Sequence, residues 1–389
     1  MKIAFYAPLK PPSHPIPSGD REVARLILAA LARAGHETEL ASRLRSRDGS
    51  GDPARQRDLE TLGRHMAKRL LRRYLARPET ERPQRWITYH LYYKAPDWIG
   101  PAVADALDIP YIVLEASHAP KRARGNWASG HAAAEAAIRR ADAVIQLNPA
   151  DLECVRPLLA DPARLTLIKP FLDGAPYRVA GAARAKHRAR LAGRLSLDPA
   201  KPWLLAVGMM RDGDKLASYR LLGDALGWLQ RAEWQLVVVG DGDARPAVEA
   251  ALAPLGAERL RYAGQVARDA LPEFYAAADL LVWPAIGEAY GMALLEAQAT
   301  GLPVVAGDVG GVSAIVADGR TGRLLPGGDA PQFAMAVDAL LTDIPARRRM
   351  AAAAMEKSRA EHDIAVASAA LDAVLQNVAM PTGWPRRLP

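Results

Sequence analysis

Short apolar runs alternate with amphipathic stretches along most of the chain. The first run, residues 2–7, precedes a proline-rich loop and a helical pattern over residues 21–34, which ends at Gly35. Further apolar runs follow at residues 86–90, 110–116, 142–147 and 165–169. Strands that alternate with helices in this way predict a mostly parallel sheet covered by helices on both faces.

The alternation pauses in a basic segment and then resumes. Residues 177–198 carry six Arg or Lys residues and no acidic residue before Asp198, a composition that predicts an interdomain segment. New apolar runs appear at residues 201–208, 234–243, 260–266, 278–284, 302–308 and 322–329. We therefore expect an α/β fold with two doubly wound, Rossmann-like domains that face each other across a cleft.

The expected domain bounds follow from this pattern. The N-terminal domain covers residues 1–175, a basic linker covers 176–200, and the second domain covers 201–362. A C-terminal helix and tail, residues 363–389, are expected to pack back on the first domain. The length of 389 residues agrees with two domains, because a single hydrophobic core rarely supports so long a chain.

Composition indicates a soluble protein of the cytoplasm. Half of the residues are apolar and a quarter are charged, as in ordinary globular proteins. The single Cys154 cannot form an internal disulfide and is expected to be a buried thiol in a reducing compartment. The apolar run at the N-terminus is too short for a signal peptide, and no run is long enough to cross a membrane.

The formal charge of +8 is unevenly distributed. Residues 64–85 interleave basic residues with Met66, Leu70, Leu71, Tyr74 and Leu75, which fall on one stripe of a helix. Two interpretations stay open: peripheral contact with the anionic inner face of a membrane, or an ordinary solvated surface helix. No nucleic-acid-binding motif accompanies the charge, so we expect no nucleic-acid partner.

The clearest candidate chemistry lies between residues 283 and 311. A strand ends at Pro284, and a predicted helix over residues 289–300 begins with Tyr290, Gly291 and Met292. The free amides and the dipole of such a helix start favour a diphosphate, and glycine lets an oxygen approach the backbone closely.

Two glutamates flank this helix start. Glu288 precedes it and Glu296 lies further along the helix. Their carboxylates would accept hydrogen bonds from the hydroxyls on either side of a diphosphate, which are those of a sugar and a ribose. The alternative is that Glu288 only caps the helix and that Glu296 is solvated. A nucleotide sugar is the ligand that fits the first interpretation.

The stretch "GEAYGMALLEAQATGLPVVAGDVGG" resembles the donor-site segment of retaining glycosyltransferase family 4, whose members have the GT-B fold. The resemblance extends from "GDGD" through "LPEFYAAADLLVWP" to "DGRTGRLLPGGD" and covers about residues 200–330 closely. It implies a retaining transferase that moves a hexose from a UDP- or GDP-sugar to an acceptor hydroxyl without a cofactor. Surface polysaccharide or glycolipid synthesis, with a carbohydrate or lipid-linked acceptor, is the implied context.

The resemblance also implies roles for the residues around the predicted helix start. Glu296 would bind the ribose, and Glu288 would approach the hydroxyls of the donor sugar. Tyr290, Gly291 and Met292 would form the diphosphate site.

Other roles come from the strand ends elsewhere in the chain. Gly208 would be part of the donor site, and Arg211 and Lys215 would neutralise the departing diphosphate; two methionines separate Arg211 from the glycine that it usually follows. In the N-terminal domain, Gly19 would let the backbone approach the donor. His118, beyond the run at residues 110–116, would touch the donor hexose.

Several alternatives remain at this stage. A nucleotide-sugar isomerase (epimerase) of the same architecture and a noncatalytic nucleotide-sugar-binding protein both fit the donor-site residues. The Asp-Gly-Asp sequences at 212–214 and 241–243 are suited to a divalent metal, but they are equally common in turns, and we predict no metal. His90, which ends another apolar run, is a second candidate histidine.

Overall fold

The computed structural model describes residues 1–16, 18–231 and 233–378. The chain divides into two compact units, of which the second is Pro170–Asp363. The first consists of Met1–Lys169 together with the chain from Ile364 onward. The expected C-terminal tail beyond residue 378 lies outside the described residues.

The first unit contains the elements from β1 to β6. Its strands are β1 (Lys2–Tyr6), β2 (Glu37–Ser42), β3 (Arg85–Leu91), β4 (Tyr111–Ala116), β5 (Ala143–Gln146) and β6 (Leu165–Leu167). Its helices before the second unit are α1 (Gly19–Arg33), α2 (Pro53–Leu75), α3 (Gly100–Leu107), α4 (Ala128–Arg140) and α5 (Leu152–Val155). Short 3-10 helices lie at Glu79–Glu81, Pro120–Arg122, Gly125–Trp127, Pro149–Asp151, Arg156–Leu158 and Pro162–Arg164.

The second unit repeats the same alternation. Its strands are β7 (Trp203–Val207), β8 (Gln235–Val239), β9 (Leu260–Gly264), β10 (Leu280–Trp283), β11 (Val304–Gly307) and β12 (Gly322–Leu325). Its α-helices are α6 (Ala175–Ala182), α7 (Arg184–Leu195), α8 (Asp214–Gly227), α9 (Arg245–Leu252), α10 (Leu271–Ala277), α11 (Met292–Thr300), α12 (Val312–Ile315), α13 (Ala330–Thr342) and α14 (Ile344–Glu361), with a 3-10 helix at Ala253–Leu255. The last helix, α15 (Ile364–Asn377), belongs to the first unit.

Each unit is built on a parallel sheet, which confirms the predicted fold class of two Rossmann-like domains. In the described residues the strand orders are β2-β1-β3-β4-β5-β6 and β12-β11-β10-β7-β8-β9. The central strands are buried on both faces; Ile87 and Val113, for example, are fully buried. Because such strands read as continuous apolar runs, the sequence locates them well.

The strand order fixes where each sheet is open to a ligand. In the first unit the order reverses between β1 and β3, and in the second unit between β7 and β10. Loops that leave adjacent strands in opposite directions open a crevice beyond the carboxyl ends of the strands, which is where ligands of such sheets bind. The loops after β7 and β10 are the ones that carry the predicted donor-site residues of the second unit.

The residues expected to form a basic linker are largely helical. Residues 176–200 contribute most of α6 and all of α7, and both helices pack against α10 within the second unit. Arg184 and Arg188 of α7 form ion pairs with Asp279 at 2.8 and 3.0 Å. The basic residues therefore hold the end of α10 in place, a use that composition alone does not indicate.

Most of the apolar stripe predicted in residues 64–85 faces the interior of the first unit. Leu70 and Tyr74 of α2 are buried in the core of this unit, and Met66 packs against it. Leu70 and Tyr74 are thus unavailable for insertion into a lipid surface. The face that α2 exposes is mainly cationic, with Lys68 and Arg72 among its residues, and it also carries Leu62 and Leu75, which are 47% and 38% exposed. No helix in the described part of the chain is long and apolar enough to cross a membrane.

The returning helix α15 packs against α1 in the first unit. The Ser368 hydroxyl donates to the carbonyl of Ala30 at 2.8 Å, and the buried Arg85 guanidinium donates to the carbonyl of Leu375 at 3.4 Å. Burial lowers the pKa of Arg85, and the charge of Asp142 partly offsets this shift. Helix α15 is therefore part of the core of the first unit.

Candidate functional site

The loop after β10 is packed on the start of α8 in the second unit. The amide of Ile286 donates to Oγ of Ser218 at 3.0 Å. Gly287 has a φ of +61°, and a Cβ at this position would lie 2.4 Å from Cγ of Asp214. The backbone conformation and the close contact both require glycine. Glycine at this position therefore lets the loop pack closely against the helix that carries Lys215.

This packing brings two predicted site residues into contact. Nζ of Lys215 forms an ion pair with Oε2 of Glu288, although 73 residues separate them in the chain. The two side chains are only 21% and 17% exposed. Trp283 completes the group: its Nε1 donates to the same oxygen at 3.3 Å, and its ring centroid lies 5.2 Å from Nζ. A phosphate that approaches Lys215 therefore meets a cation that is already balanced by a carboxylate.

Gly208 lies directly against this aromatic wall. The Tyr219 hydroxyl donates to the carbonyl of Gly208 at 2.8 Å, and the rings of Tyr219 and Trp283 pack edge to face at 5.0 Å. A Cβ on Gly208 would lie 3.0 Å from the Trp283 ring. Sequence reasoning missed both aromatic residues, because an aromatic residue at a strand end or in a helix usually signals only the core.

The predicted bounds of the next helix were wrong. α11 begins at Met292, three residues later than expected, and Gly291 is its N-cap with a φ of +73°. A residue in the left-handed region cannot continue a right-handed helix, so Tyr290 and Gly291 belong to the preceding loop. The amides that lack a carbonyl partner within the helix are those of its first turn, which starts with Met292 and Ala293.

Glu296 lies on α11 and is partly buried rather than solvated. Its Oε2 accepts a hydrogen bond from the Tyr275 hydroxyl at 2.7 Å. Burial, together with the nearby charge of Glu296, raises the pKa of Tyr275 and that of Tyr177. The neutral phenol at position 275 thus orients the carboxylate, and the sequence offered no signal for this partner.

The glycine pair after β11 supports the same loop from the other side. Gly310 has a φ of +58°, and a Cβ there would lie 2.3 Å from the carbonyl oxygen of Glu288. The amide of Gly311 donates to the carbonyl of Ala289 at 2.5 Å. The pair was part of the family resemblance, and its physical role here is to let two loops touch through their backbones.

Arg211 is exposed, in contrast to Lys215. Met210, which directly precedes it, is anchored to the loop after β8, because this buried residue donates its amide to the carbonyl of Asp241 at 3.0 Å. A Cβ on Gly242 would lie 2.3 Å from the Met210 carbonyl oxygen. The Asp241 carboxylate is paired with Arg245 at 3.3 Å. These contacts account for Asp-Gly-Asp at 241–243 as a turn.

Two predicted site residues, Gly19 and His118, belong to the first unit. Gly19 is the first residue of α1, which Ser18 caps by accepting the amide of Arg21 at 3.3 Å. A Cβ on Gly19 would meet no atom of the described residues within 4 Å. The packing of the protein itself therefore does not require glycine at this position.

His118 lies after β4 against helix α4. Its Nε2 is 3.2 Å from Oε2 of Glu135, whose Oε1 accepts from Arg139 at 2.9 Å. The hydrogen bond from Arg139, followed by that from His118, lowers the pKa of Glu135 although burial opposes the shift. The pKa of His131, whose ring is 4.8 Å from that of His118, is lowered by burial and by the charge of His118.

These three residues also have the donor types of a metal site. One ligand atom from each of His118, His131 and Glu135 lies within 4.8 Å of the others. The carboxylate of Glu135 is already shared between a histidine and an arginine, so its charge is largely balanced. Cys154 is close by and partly buried; its sulfur accepts the amide of His118 at 3.5 Å, and burial raises its pKa.

A further polar group marks the reversal point of the first sheet. His90 at the end of β3 places Nδ1 3.1 Å from Oδ1 of Asp20 at the start of α1. Burial pulls the pKa of His90 down, but the hydrogen bond to Asp20 and the charge of Glu115 outweigh it, so the pKa is raised. Both His90 and Glu115 have a φ of +63°, a strained conformation for these residues that sequence cannot reveal.

Comparisons of the whole chain with known proteins identify its relatives. The family profile described as "Glycosyl transferases group 1" matches residues 201–343, which contain the donor-site loops. The D-inositol 3-phosphate glycosyltransferase of Xylanimonas cellulosilytica is 30% identical over 318 residues, which are 77% of this chain and 74% of that protein. The alpha-D-kanosaminyltransferase of Streptomyces kanamyceticus is 29% identical over 255 residues, or 65% of this chain.

The chain spans only part of the length of some of its relatives. It covers 64% of the kanosaminyltransferase and 51% of the D-inositol 3-phosphate glycosyltransferase of Streptomyces scabiei. Among solved structures, Alr3699/HepE of Anabaena in complex with UDP has a TM-score of 0.74 and 18% identity, with 97% of this chain and 100% of that chain covered. The same protein has also been solved with UDP-glucose.

Family membership follows from the sequence identity to the Xylanimonas protein and from the share of that protein that the alignment covers. The two Rossmann-like sheets agree with it. The chain belongs to the group 1 glycosyltransferases and has their GT-B fold.

Proposed function

We propose that the protein is a retaining glycosyltransferase that moves a hexose from a UDP- or GDP-sugar to an acceptor hydroxyl. The observation that carries this proposal is the contact between Lys215 and Glu288 at the reversal point of the second sheet. A cation for a diphosphate and a carboxylate for sugar hydroxyls meet there, beside the free amides at the start of α11. The complexes of Alr3699/HepE with UDP and UDP-glucose support a nucleotide-sugar donor.

The proposed roles follow from the chemistry of each group. Lys215 and the first-turn amides of α11 stabilise the charge that grows on the diphosphate as it leaves, and Arg211 adds to this field from the surface. Glu288 accepts hydrogen bonds from the donor sugar and Glu296 from the ribose. His118 contributes a contact to the hexose.

The reaction needs no protein nucleophile in this scheme. The bond between the anomeric carbon and the diphosphate oxygen breaks, and the acceptor oxygen bonds to the same face of the sugar. The acceptor proton passes to the released phosphate oxygen, so that atoms and charges balance. Catalysis is then orientation of the two substrates together with electrostatic stabilisation of the leaving group.

Thermal-shift measurements with UDP- and GDP-hexoses test the donor assignment, because a ligand that binds only the folded state raises its melting temperature. We expect one of the two nucleotide series to raise the melting temperature, and Glu296→Gln to reduce the rise. Incubation of the bound donor with acceptors, followed by mass spectrometry, then separates the classes. A new glycosidic linkage supports the transferase, an epimerised donor supports an isomerase, and binding without any product supports a noncatalytic protein.

The acceptor side and the cellular context are also proposals. A carbohydrate or lipid-linked acceptor in surface polysaccharide or glycolipid synthesis, at the inner face of a membrane, agrees with the exposed basic residues of α2. Since Leu70 and Tyr74 of α2 are in the core and the residues that α2 exposes are mainly basic, such contact would be largely electrostatic and sensitive to salt. Flotation with anionic vesicles at low and high salt tests it; failure to float at low salt would remove the argument.

A further inference from the structure

Two histidines and a glutamate come together where the loop after β4 packs on helix α4. His131 and Glu135 lie four residues apart on α4 and therefore share one face of the helix. His118 comes from the loop after β4, and its Nε2 lies 3.2 Å from Oε2 of Glu135. Nδ1 of His131 lies 3.9 Å from the same oxygen. One carboxylate oxygen is thus close to two imidazoles.

The backbone that carries these side chains is held by close contacts. A Cβ on Gly130, at the start of α4, would lie 2.2 Å from the carbonyl oxygen of Tyr93, so glycine lets the helix pack directly on the loop after β3. The amide of Gly130 donates to the side chain of Gln56 at 3.2 Å. The amide of His118 donates to Sγ of Cys154 at 3.5 Å. Side chains on a backbone fixed in this way lose less entropy when they bind a ligand.

His131 has a buried nitrogen that the protein leaves without a partner. The residue is 5% exposed, and its Nε2 is buried and has no hydrogen-bond partner among the described residues. Its ring lies against that of His118, with centroids 4.8 Å apart. A buried polar atom without a partner is costly, and imidazole is the commonest metal ligand in proteins. This nitrogen therefore points to a ligand that the protein chain itself does not supply.

Arg139 orients the carboxylate of Glu135. It lies one turn further along α4, and its Nε donates to Oε1 of Glu135 at 2.9 Å. The other oxygen, Oε2, is left to the two histidines. Carboxylates that bind a metal are commonly held by such a hydrogen bond from outside the site. The arginine thus does not compete for the oxygen that faces the imidazoles.

The distances suit one small ion. One ligand atom from each of His118, His131 and Glu135 lies within 4.8 Å of the others. Zn²⁺ binds nitrogen and carboxylate oxygen at about 2.0–2.2 Å in a tetrahedral arrangement, which places ligand atoms about 3.3–3.6 Å apart. The longest separation therefore has to shorten by about 1–1.5 Å, which small side-chain rotations supply. Two imidazoles and one carboxylate, with a fourth position open to water, are a ligand set typical of zinc.

We propose that His118, His131 and Glu135 form a binding site for one divalent transition-metal ion, Zn²⁺ or an ion of similar preference. This inference goes beyond the proposed function, because metal binding requires neither a sugar donor nor an acceptor. It concerns a different part of the chain from the Asp-Gly-Asp sequences, at which we predict no metal. His118 is also the residue proposed to contact the donor hexose, so a bound ion and that contact would compete for its side chain.

Titration calorimetry of the untagged, metal-free full-length protein with Zn²⁺ alone tests the proposal. We expect one ion to bind per chain. Co²⁺ serves as a spectroscopic substitute and should give the visible absorption of a site with imidazole ligands. Mg²⁺ is the control ion, because it prefers six oxygen ligands, and it should not displace Zn²⁺.

Two variants each remove one ligand. Glu135→Gln and His131→Phe should both weaken Zn²⁺ binding about tenfold or more, and phenylalanine keeps an aromatic ring in the buried position of His131. Glu60→Gln is the matched control. Glu60 forms the same ion pair with an arginine four residues later on a helix, Arg64, and its side chain is 26% exposed against 29% for Glu135. It belongs to no group of metal-ligand side chains in the described part of the chain, so its variant should bind Zn²⁺ like the native protein.

The melting temperature of each metal-free variant shows whether it is folded. Since Glu135 is partly exposed, Glu135→Gln is expected to fold even if His131→Phe does not. The proposal is overturned if the native protein binds no Zn²⁺, if Mg²⁺ displaces it, or if either folded variant binds Zn²⁺ as tightly as the native protein.

Discussion

Replacement of Lys215 by alanine is the sharpest test of the donor site. Lys215 and Glu288 form a pair whose net charge is zero, and both side chains are largely shielded from water. Removal of the lysine leaves one uncompensated carboxylate beside the proposed diphosphate. The leaving group gains about one negative charge as the sugar bond breaks, so the variant loses attraction in the transition state more than in the ground state.

The size of the effect follows from the partial burial of Lys215. Two unit charges about 4 Å apart attract each other by about 4 kcal/mol at an effective dielectric constant of about 20. The Lys215 side chain is 21% exposed, so solvent screening reduces this attraction. We take about 2–3 kcal/mol as the remainder, which corresponds to a loss of turnover of about 30- to 150-fold.

The assay is release of the nucleoside diphosphate at saturating donor, with the melting temperature as a measure of folding. Arg211→Ala is the control, because Arg211 is exposed and an exposed charge contributes about 1 kcal/mol at most, or about fivefold. Lys215→Ala/Glu288→Gln removes the orphaned carboxylate and separates a loss of stability from a loss of catalysis. The reasoning is refuted if the folded Lys215→Ala variant keeps more than about a third of the native turnover. It is also refuted if Arg211→Ala loses more turnover than Lys215→Ala loses.

Two further predictions concern one residue pair in each unit. Gly310→Ala places a Cβ 2.3 Å from the Glu288 carbonyl oxygen and should weaken donor binding about tenfold or more. Gly319→Ala is the control: Gly319 has a similar φ of +71°, but its Cβ would meet nothing within 4 Å, so this variant should lower only stability. Equal donor binding in the two variants would contradict this prediction. Asp20→Asn removes the charged partner of His90. In the native protein the pKa of His90 is raised and that of Asp20 is lowered, so the ion pair stabilises the fold at pH values between these two pKa values. The stabilisation is lost as the pH rises through the pKa of His90. Urea unfolding should show a cost of about 1 kcal/mol at pH 6, a value discounted for the exposure of the pair, and a smaller cost at pH 9; the same cost at both would refute the assignment.

The elements of the fold were largely predictable because buried parallel strands are apolar throughout. The strand β2 was missed, since its sequence Glu-Thr-Glu-Leu-Ala-Ser is polar, as suits the edge of a sheet. Basic composition did not indicate that the arginines of α7 bind Asp279, because that contact depends on how α7 packs. In α2, Leu70 and Tyr74 of the predicted apolar stripe lie in the core, because periodicity locates a stripe but does not say whether it faces lipid or the core.

The candidate site was predictable in its parts and not in its contacts. Lys215 and Glu288 each follow an apolar run, which is where ligand-binding loops of parallel sheets occur. Their ion pair depends on β7 and β10 being neighbours, which is a property of topology rather than of local sequence. The pairing of Tyr275 with Glu296 and that of Asp20 with His90 have the same origin.

The return of α15 to the first unit has a consequence for synthesis on the ribosome. The second unit is one continuous stretch, Pro170–Asp363, and can complete its core as soon as that stretch has emerged. The first unit starts earlier but finishes later, because α1 and Arg85 contact residues of α15, which is translated after the whole second unit. A premature stop codon before residue 364 would therefore damage the half of the protein that was translated first.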